Sequence, residues 1–122
     1  MKKAKIKWAK LPEKKHYTAA ATYLDLVYKD HSVDELTQNL RLAKVTSFKA
    51  KDIFRASSLP LLSIDNLHVK KNYLKLLCGD KISPLLLVRD KENRCVIVAD
   101  GYHRLCAVYA LDEDANVCCK IA

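Results

Sequence analysis

Two short apolar runs in the last third of the chain place the strongest constraint on its fold. Pro84–Val88 and Cys95–Ala99 are almost wholly apolar and only five residues long. Runs of this length favour β-strands buried on both faces over helices. The polar residues Asp90–Asn93 between them predict a turn, so the two strands are expected to pair as a hairpin.

The remaining elements follow from periodicity and from capping residues. Apolar residues three and four positions apart predict helices over 17–29, 32–43, 64–77 and 102–111, with one or two helical turns over 50–57. Ser32 and Glu35 form a predicted capping box for the helix over 32–43. Gly79 is expected to end the helix over 64–77 in a left-handed conformation. Short strands are expected at 45–48 and 117–121, and the first ten residues as an edge strand or an extended segment. This order predicts an α+β fold with a small mixed sheet packed against helices.

Length and charge predict one folded unit with a basic arm. A chain of 122 residues fits a single domain, which we expect over residues 16–122. Residues 1–15 form the predicted arm, in which seven lysines opposed by Glu13 give +6 of the net charge of +8. Lys2–Lys15 are expected to make weak contact with nucleic acid or an acidic partner, or else to act only as a solvated segment. The rest of the chain is too nearly neutral for a dedicated DNA-binding surface.

Hydropathy and cysteine content predict a cytoplasmic protein without a membrane partner. No apolar run approaches the roughly 18–20 residues that span a bilayer, and no apolar segment of a secretory signal follows the N-terminal lysines. The five cysteines include no C-x-x-C pair. Cys118 and Cys119 are adjacent and would point to opposite faces of a strand, which suits neither a shared zinc ion nor a simple disulfide. All five are expected to be buried free thiols.

The turn Asp100-Gly101-Tyr102-His103-Arg104 is the predicted functional site. A buried strand that ends in a glycine turn and launches a helix presents unpaired N–H groups and the positive end of the helix dipole to an anion. Gly101 lets a ligand or the backbone approach, and His103 and Arg104 add donors. Two cations at the positive end of a helix are unfavourable without a bound anion. Asp100 is expected to orient Arg104 or His103, or to help hold a divalent metal carried by a nucleotide. The alternative is a set of exposed helix-start residues without a ligand.

Residues 60–122 resemble the ParB/sulfiredoxin superfamily. The resemblance lies in the order of Leu59-Pro60-Leu61, Ile64-Asp65, the segment 81–88 and the segment 98–107, which is similar to the pattern P-I/L-V … V-x-D-G-x-H/R-R-x-x-A. It implies a ParB/sulfiredoxin-like fold that binds ATP or CTP, with Mg²⁺ accompanying the nucleotide. By position, Gly101, His103 and Arg104 would contact the phosphates, and Lys81 and Ser83 would line the same pocket. Sulfiredoxins carry their catalytic cysteine where this chain has Tyr102, so no sulfiredoxin activity is expected.

Three functions are consistent with these features. The first is NTP hydrolysis or phosphoryl transfer, with Asp100 and His103 as catalytic residues and Asp65 and Glu35 as further candidate bases. The second is a non-catalytic ParB-like module that is gated by a nucleotide or associated with DNA. The third is a domain that contacts only protein partners. No metal site formed by the protein alone is predicted, and the oligomeric state stays open.

Overall fold

The computed structural model describes residues 5–29 and 32–122. Helices and strands alternate irregularly along the chain, and the last two strands flank the last helix. The elements, in chain order, are α1 (Lys14–Val27), α2 (Ser32–Leu42), β1 (Thr46–Lys49), α3 (Ala50–Ser57), α4 (Leu67–Leu77), β2 (Leu85–Asp90), β3 (Cys95–Asp100), α5 (Tyr102–Leu111) and β4 (Asn116–Ile121).

The four strands form one mixed sheet in the order β1-β4-β2-β3. β2 and β3 form the predicted antiparallel hairpin, with a register shift between Leu86 and Leu87. β4 returns beside β2 in parallel, with Leu85 opposite Cys119, and pairs with β1 in antiparallel orientation. The sheet therefore confirms the predicted α+β class with a small mixed sheet.

Helices cover both faces of β2, as its continuous apolar run predicts. Leu85 and Leu87 pack in a cluster with buried residues of α3, α4 and α5. Leu86 and Val88 pack on the other face in a second cluster with residues of α1 and α2. All four side chains are almost completely buried. Successive side chains of a strand point to opposite faces, so a strand between two helical layers needs apolar residues at every position.

Helix boundaries differ from the predicted ones where a local cap decides them. α4 begins three residues later than predicted, because the Asn66 side chain caps it by accepting hydrogen bonds from the N–H groups of His68 at 2.9 Å and Val69 at 3.2 Å. Gly79 is the predicted stop, with φ of +76°. α1 begins at Lys14, earlier than predicted, with Glu13 as its cap residue. α2 begins at Ser32 itself, and the two preceding residues, where its cap would fall, lie outside the described residues.

The N-terminal segment, residues 5–13, lies against the domain. The Ile82 N–H donates to the carbonyl of Lys7 at 3.0 Å, and the Ala9 N–H donates to the carbonyl of Ile82 at 2.8 Å, so Trp8 and Ile82 form a parallel bridge. Ile6 and Trp8 are partly buried against the larger core cluster. Of the predicted basic arm, residues 1–4 lie outside the described residues, whereas the last two positions belong to the first turn of α1.

The burial of the cysteines agrees in part with expectation. All five cysteines are free thiols, and Cys106 and Cys119 are buried. Cys95 and Cys118 are half-buried. Cys78 is exposed, so the expected burial is wrong there; it follows the last turn of α4 at the surface.

Within residues 5–29 and 32–122, no helix is both long and apolar enough to cross a membrane.

Candidate anion-binding site

Gly101 connects β3 to α5 in a conformation that favours glycine. Its φ is +108° and its ψ is 17°, and it is the N-cap residue of α5 without a side-chain cap. A Cβ atom at this position would lie 2.6 Å from Leu85 Cγ and 2.9 Å from Arg104 Nη2. The space that the missing side chain leaves is therefore taken by two side chains of the protein itself.

Arg104 is held in place by groups at the ends of both strands of the hairpin. Its Nη2 donates to Asp100 Oδ2 at 3.0 Å and to the carbonyl of Pro84 at 3.3 Å. The two side chains of this ion pair are 14% and 16% exposed. The Nε atom of Arg104 is buried and has no hydrogen-bond partner among the described residues. Asp100 thus orients Arg104, which is one of its two predicted roles.

Arg104 borders a polar cleft of about 260 Å³, which we call the basic cleft. The N-terminal segment, α1, α4 and the segment before β2 all contribute to its wall. The lining residues are Glu13, Lys15, His16, Asn72, Lys75, Lys81, Ile82, Ser83 and Arg104. Four of these side chains are cations at neutral pH. Lys15 pairs with Glu13 at 3.6 Å and Arg104 pairs with Asp100, so Lys75 and Lys81 are the excess positive charge that attracts anions.

His16 adds a neutral donor to the basic cleft. Its Nδ1 accepts a hydrogen bond from the Glu13 N–H at 3.0 Å, which leaves the proton of the neutral ring on Nε2. Burial lowers the pKa of His16, and the nearby charge of Arg104 lowers it further. The imidazole is therefore neutral at pH 7 and presents Nε2–H as a donor.

A second cavity of about 290 Å³ lies at the start of α5, and we call it the aromatic pocket. Its lining residues are Tyr23, Leu59, Val98, Ala99, Asp100, Gly101, Tyr102 and His103. The ring of His103 lies 4.9 Å from the ring of His68 and 5.6 Å from that of Tyr102, centroid to centroid. Burial lowers the pKa of His103, as does the neighbouring His68, so His103 is also neutral at pH 7.

The structure divides the predicted phosphate-binding set between these two cavities. Arg104, Lys81 and Ser83 line the basic cleft together. His103 and Gly101 line the aromatic pocket instead. The further candidate bases Asp65 and Glu35 line neither cavity. Asp65 Oδ2 lies 3.4 Å from the hydroxyl of Ser63, and Glu35 lies in the first turn of α2.

Four of the residues that the sequence did not place at this site come from two helices, although Lys15 falls in the arm that was expected to contact nucleic acid. Lys15 and His16 come from α1, and Asn72 and Lys75 come from α4. Nothing in the local sequence distinguishes these residues from a solvated helix face. Only the packing of both helices around the segment before β2 brings them to Arg104.

Neither a metal cluster nor an activated thiol accompanies this site. Among the described residues, no group of three or more His, Cys, Asp or Glu side chains is arranged to hold a metal ion. The Tyr102 hydroxyl donates to the carbonyl of Pro60. One turn further along α5, burial raises the pKa of Cys106 and so disfavours its thiolate form.

Comparison with known proteins finds no matching family model, no matching curated protein and no matching solved structure. The resemblance to the ParB/sulfiredoxin superfamily therefore rests on the sequence pattern alone and stays a hypothesis.

Proposed function

We propose that this protein binds a nucleoside triphosphate, ATP or CTP, and that the triphosphate occupies the basic cleft. The observation that carries the proposal is the convergence of Lys15, Lys75, Lys81 and Arg104 on one cleft. Glu13 pairs with Lys15 and Asp100 pairs with Arg104, so two of these cations are in excess. A cleft with an excess of cations attracts anions. A polyanion matches this excess better than a ligand with one negative charge.

The other groups of the cleft also suit phosphate oxygens. The Nη2 atom of Arg104 donates to Asp100 and Pro84 and its Nε is buried, so Nη1 is the group left to donate to a phosphate oxygen. The Ser83 hydroxyl and the His16 Nε2–H are neutral donors beside it. Asp100 holds Arg104 in position before any ligand arrives, which lowers the conformational entropy lost on binding.

A magnesium ion would enter this cleft on the nucleotide. Mg²⁺ is usually bound through one or two carboxylates together with substrate phosphates. Glu13 is the only carboxylate among the lining residues, so the protein alone does not provide a cage for the ion. A bound Mg²⁺ would offset part of the charge on the phosphates.

The geometry supports nucleotide binding more strongly than turnover. The Asp100 carboxylate is engaged by Arg104, and the free ring nitrogen of His16 carries a proton, so neither is placed as a general base. His103 lines the neighbouring pocket. We therefore favour a non-catalytic, nucleotide-gated module over an NTPase or phosphotransferase. A cytoplasmic location and DNA association through Lys2–Lys15 remain predictions.

Calorimetric titration of inorganic tripolyphosphate, ATP and CTP, with and without Mg²⁺, tests the proposal. Lys81→Ala is the cleanest variant, because the Lys81 side chain is exposed. Loss of one charge-assisted contact of roughly 1.5–3 kcal/mol should weaken binding about ten- to a hundredfold. Arg104→Ala should lose as much, and Arg104→Lys should restore only part of it. Arg55→Ala is the matched control, since Arg55 is 85% exposed and lies outside the cleft.

Equal affinities for wild type and Lys81→Ala, or no binding of any polyphosphate by wild type, would contradict the proposal. An assay of phosphate release under the same conditions separates binding from turnover. Steady release that disappears in Asp100→Asn and His103→Gln would favour the catalytic alternative instead.

A further inference from the structure

We propose that the aromatic pocket binds the nucleobase of the nucleotide whose phosphates occupy the basic cleft, and that it selects the amino-bearing edge of adenine or cytosine over the carbonyl-bearing edge of uracil. This inference rests on the proposed function, because the same ligand must reach both cavities. It assigns recognition of the base to a second group of residues, chiefly Tyr23, Tyr102 and Asp100.

The two cavities follow one another along α1. His16 lines the basic cleft and Tyr23 lines the aromatic pocket. These residues lie two helical turns apart on the same face of α1, a rise of about 10 Å. The Asp100–Arg104 ion pair lies between the cavities, with Asp100 lining the aromatic pocket and Arg104 lining the basic cleft. A ligand with an anionic end and a planar end, separated by a short linker, matches this arrangement.

The walls of the aromatic pocket suit a planar ring. Tyr23 is 43% exposed, although it carries a large apolar ring. The ring planes of Tyr102 and His103 are inclined to each other by 33°, and the ring of His68 packs against that of His103. Leu59 and Val98 complete an apolar lining. A volume of about 290 Å³ is close to the lower end of the range for small-molecule pockets, roughly 300–1,000 Å³.

The polar groups of the aromatic pocket can form hydrogen bonds with the amino-bearing edge of a nucleobase. Asp100 Oδ2 accepts from Arg104, whereas Oδ1 accepts no hydrogen bond from the described residues. A carboxylate oxygen accepts from an exocyclic amino group but repels a carbonyl at the same position. The first turn of α5 has no side-chain cap, so its N–H groups can donate to a ring nitrogen next to that amino group. Adenine and cytosine present this donor–acceptor pair, and uracil presents the reverse.

The experiment compares ATP, CTP, UTP and inorganic tripolyphosphate by calorimetric titration of the full chain. Tripolyphosphate carries more negative charge than a nucleotide and has no base, so it reports on the basic cleft alone. Wild type should bind ATP or CTP at least about tenfold more tightly than tripolyphosphate and than UTP. Tyr23→Ala should bring the nucleotide affinity down to that of tripolyphosphate without changing the latter. Tyr23→Phe should keep the wild-type preference, because the ring face is retained.

Leu26→Ala is the matched control on the same helix, since Leu26 is 84% exposed and lines neither cavity. It should bind every ligand as wild type does. If tripolyphosphate, UTP and ATP bind equally well, or if Tyr23→Ala weakens all of them alike, the base pocket is wrong while the phosphate cleft stands. If wild type binds neither tripolyphosphate nor any nucleotide, both the cleft and the pocket are wrong.

Discussion

Gly101 is required by the packing of the protein itself. Its backbone has a φ of +108°, which L-residues with a side chain rarely adopt. Leu85 and Arg104 fill the space above its Cα. The close packing of Arg104 against this glycine keeps the guanidinium beside Asp100, at the border of the basic cleft. The residue therefore links the core of the sheet to the geometry of the site.

We expect Gly101→Ala to destabilise the fold by roughly 2–6 kcal/mol, since backbone strain and overpacking each cost roughly 1–3 kcal/mol. Gly79→Ala is the matched control. It also has a positive φ, of +76°, but its new Cβ would meet only Lys7 Nζ, at 3.8 Å. That variant should lose about 1 kcal/mol. Urea denaturation of both variants measures the difference; equal losses would show that the contact with Leu85 imposes no strain.

At the same scale, the sequence predicts the turn but not the direction of each side chain. His103 and Arg104 are adjacent, and consecutive residues of a helix point about 100° apart. The turn Asp100–Arg104 therefore contributes side chains to two different cavities. Lys81 and Ser83 meet Arg104 because the residues before β2 lie beside the start of α5, and the sequence resemblance already implied this group.

The segment 5–13 is the element whose role differs most from the sequence-based expectation. Two backbone hydrogen bonds join Lys7 and Ala9 to Ile82, the residue between Lys81 and Ser83. The same segment leads directly into Glu13 and α1, so it supports two walls of the basic cleft. The sequence predicts an edge strand or an extended segment over the first ten residues, but it does not identify the partner, because Ile82 lies far away in the chain.

Trp8→Ala should therefore reduce both stability and ligand affinity. Loss of a half-buried aromatic side chain should cost about 1–3 kcal/mol, and a looser bridge to Ile82 should displace Lys81 and weaken tripolyphosphate binding. Leu11→Ala is the control within the segment; Leu11 is 60% exposed, so a change within about 0.5 kcal/mol is expected. Thermal melts and titrations measure both effects. A Trp8→Ala protein with wild-type stability would show that the segment is a solvated arm and that the fold does not depend on it.

For the whole molecule, the order of elements was more predictable than their arrangement. The hairpin of β2 and β3 is local, and its two apolar runs identify it directly. The parallel pairing of β4 with β2 and the placement of α1 over the second face of the sheet depend on contacts between distant residues. For that reason the α+β class is confirmed, whereas Lys15, His16, Asn72 and Lys75 could not be assigned to the site in advance.

Acid sensitivity is a property of the whole fold that follows from two of its histidines. The pKa values of His16 and His103 are both lowered from 6.5, in each case mainly by burial. Arg104 lowers the pKa of His16 further, with Asp100 and Glu13 opposing it, and His68 lowers that of His103. The unfolded chain therefore takes up these protons first as the pH falls below about 6.5.

The stability contributed by the neutral forms is thus complete above pH 6.5 and declines as the pH falls below it. We expect a lower melting temperature at pH 5.5 than at pH 7.5, a range that lies above the ordinary pKa of carboxyl groups, about 4. The double variant His16→Gln/His103→Gln should lose less over the same interval, because neither side chain takes up a proton in either state. Differential scanning calorimetry at the two pH values checks this. If the double variant loses as much as wild type, the acid sensitivity comes from other groups and the two imidazoles are not held neutral by the fold.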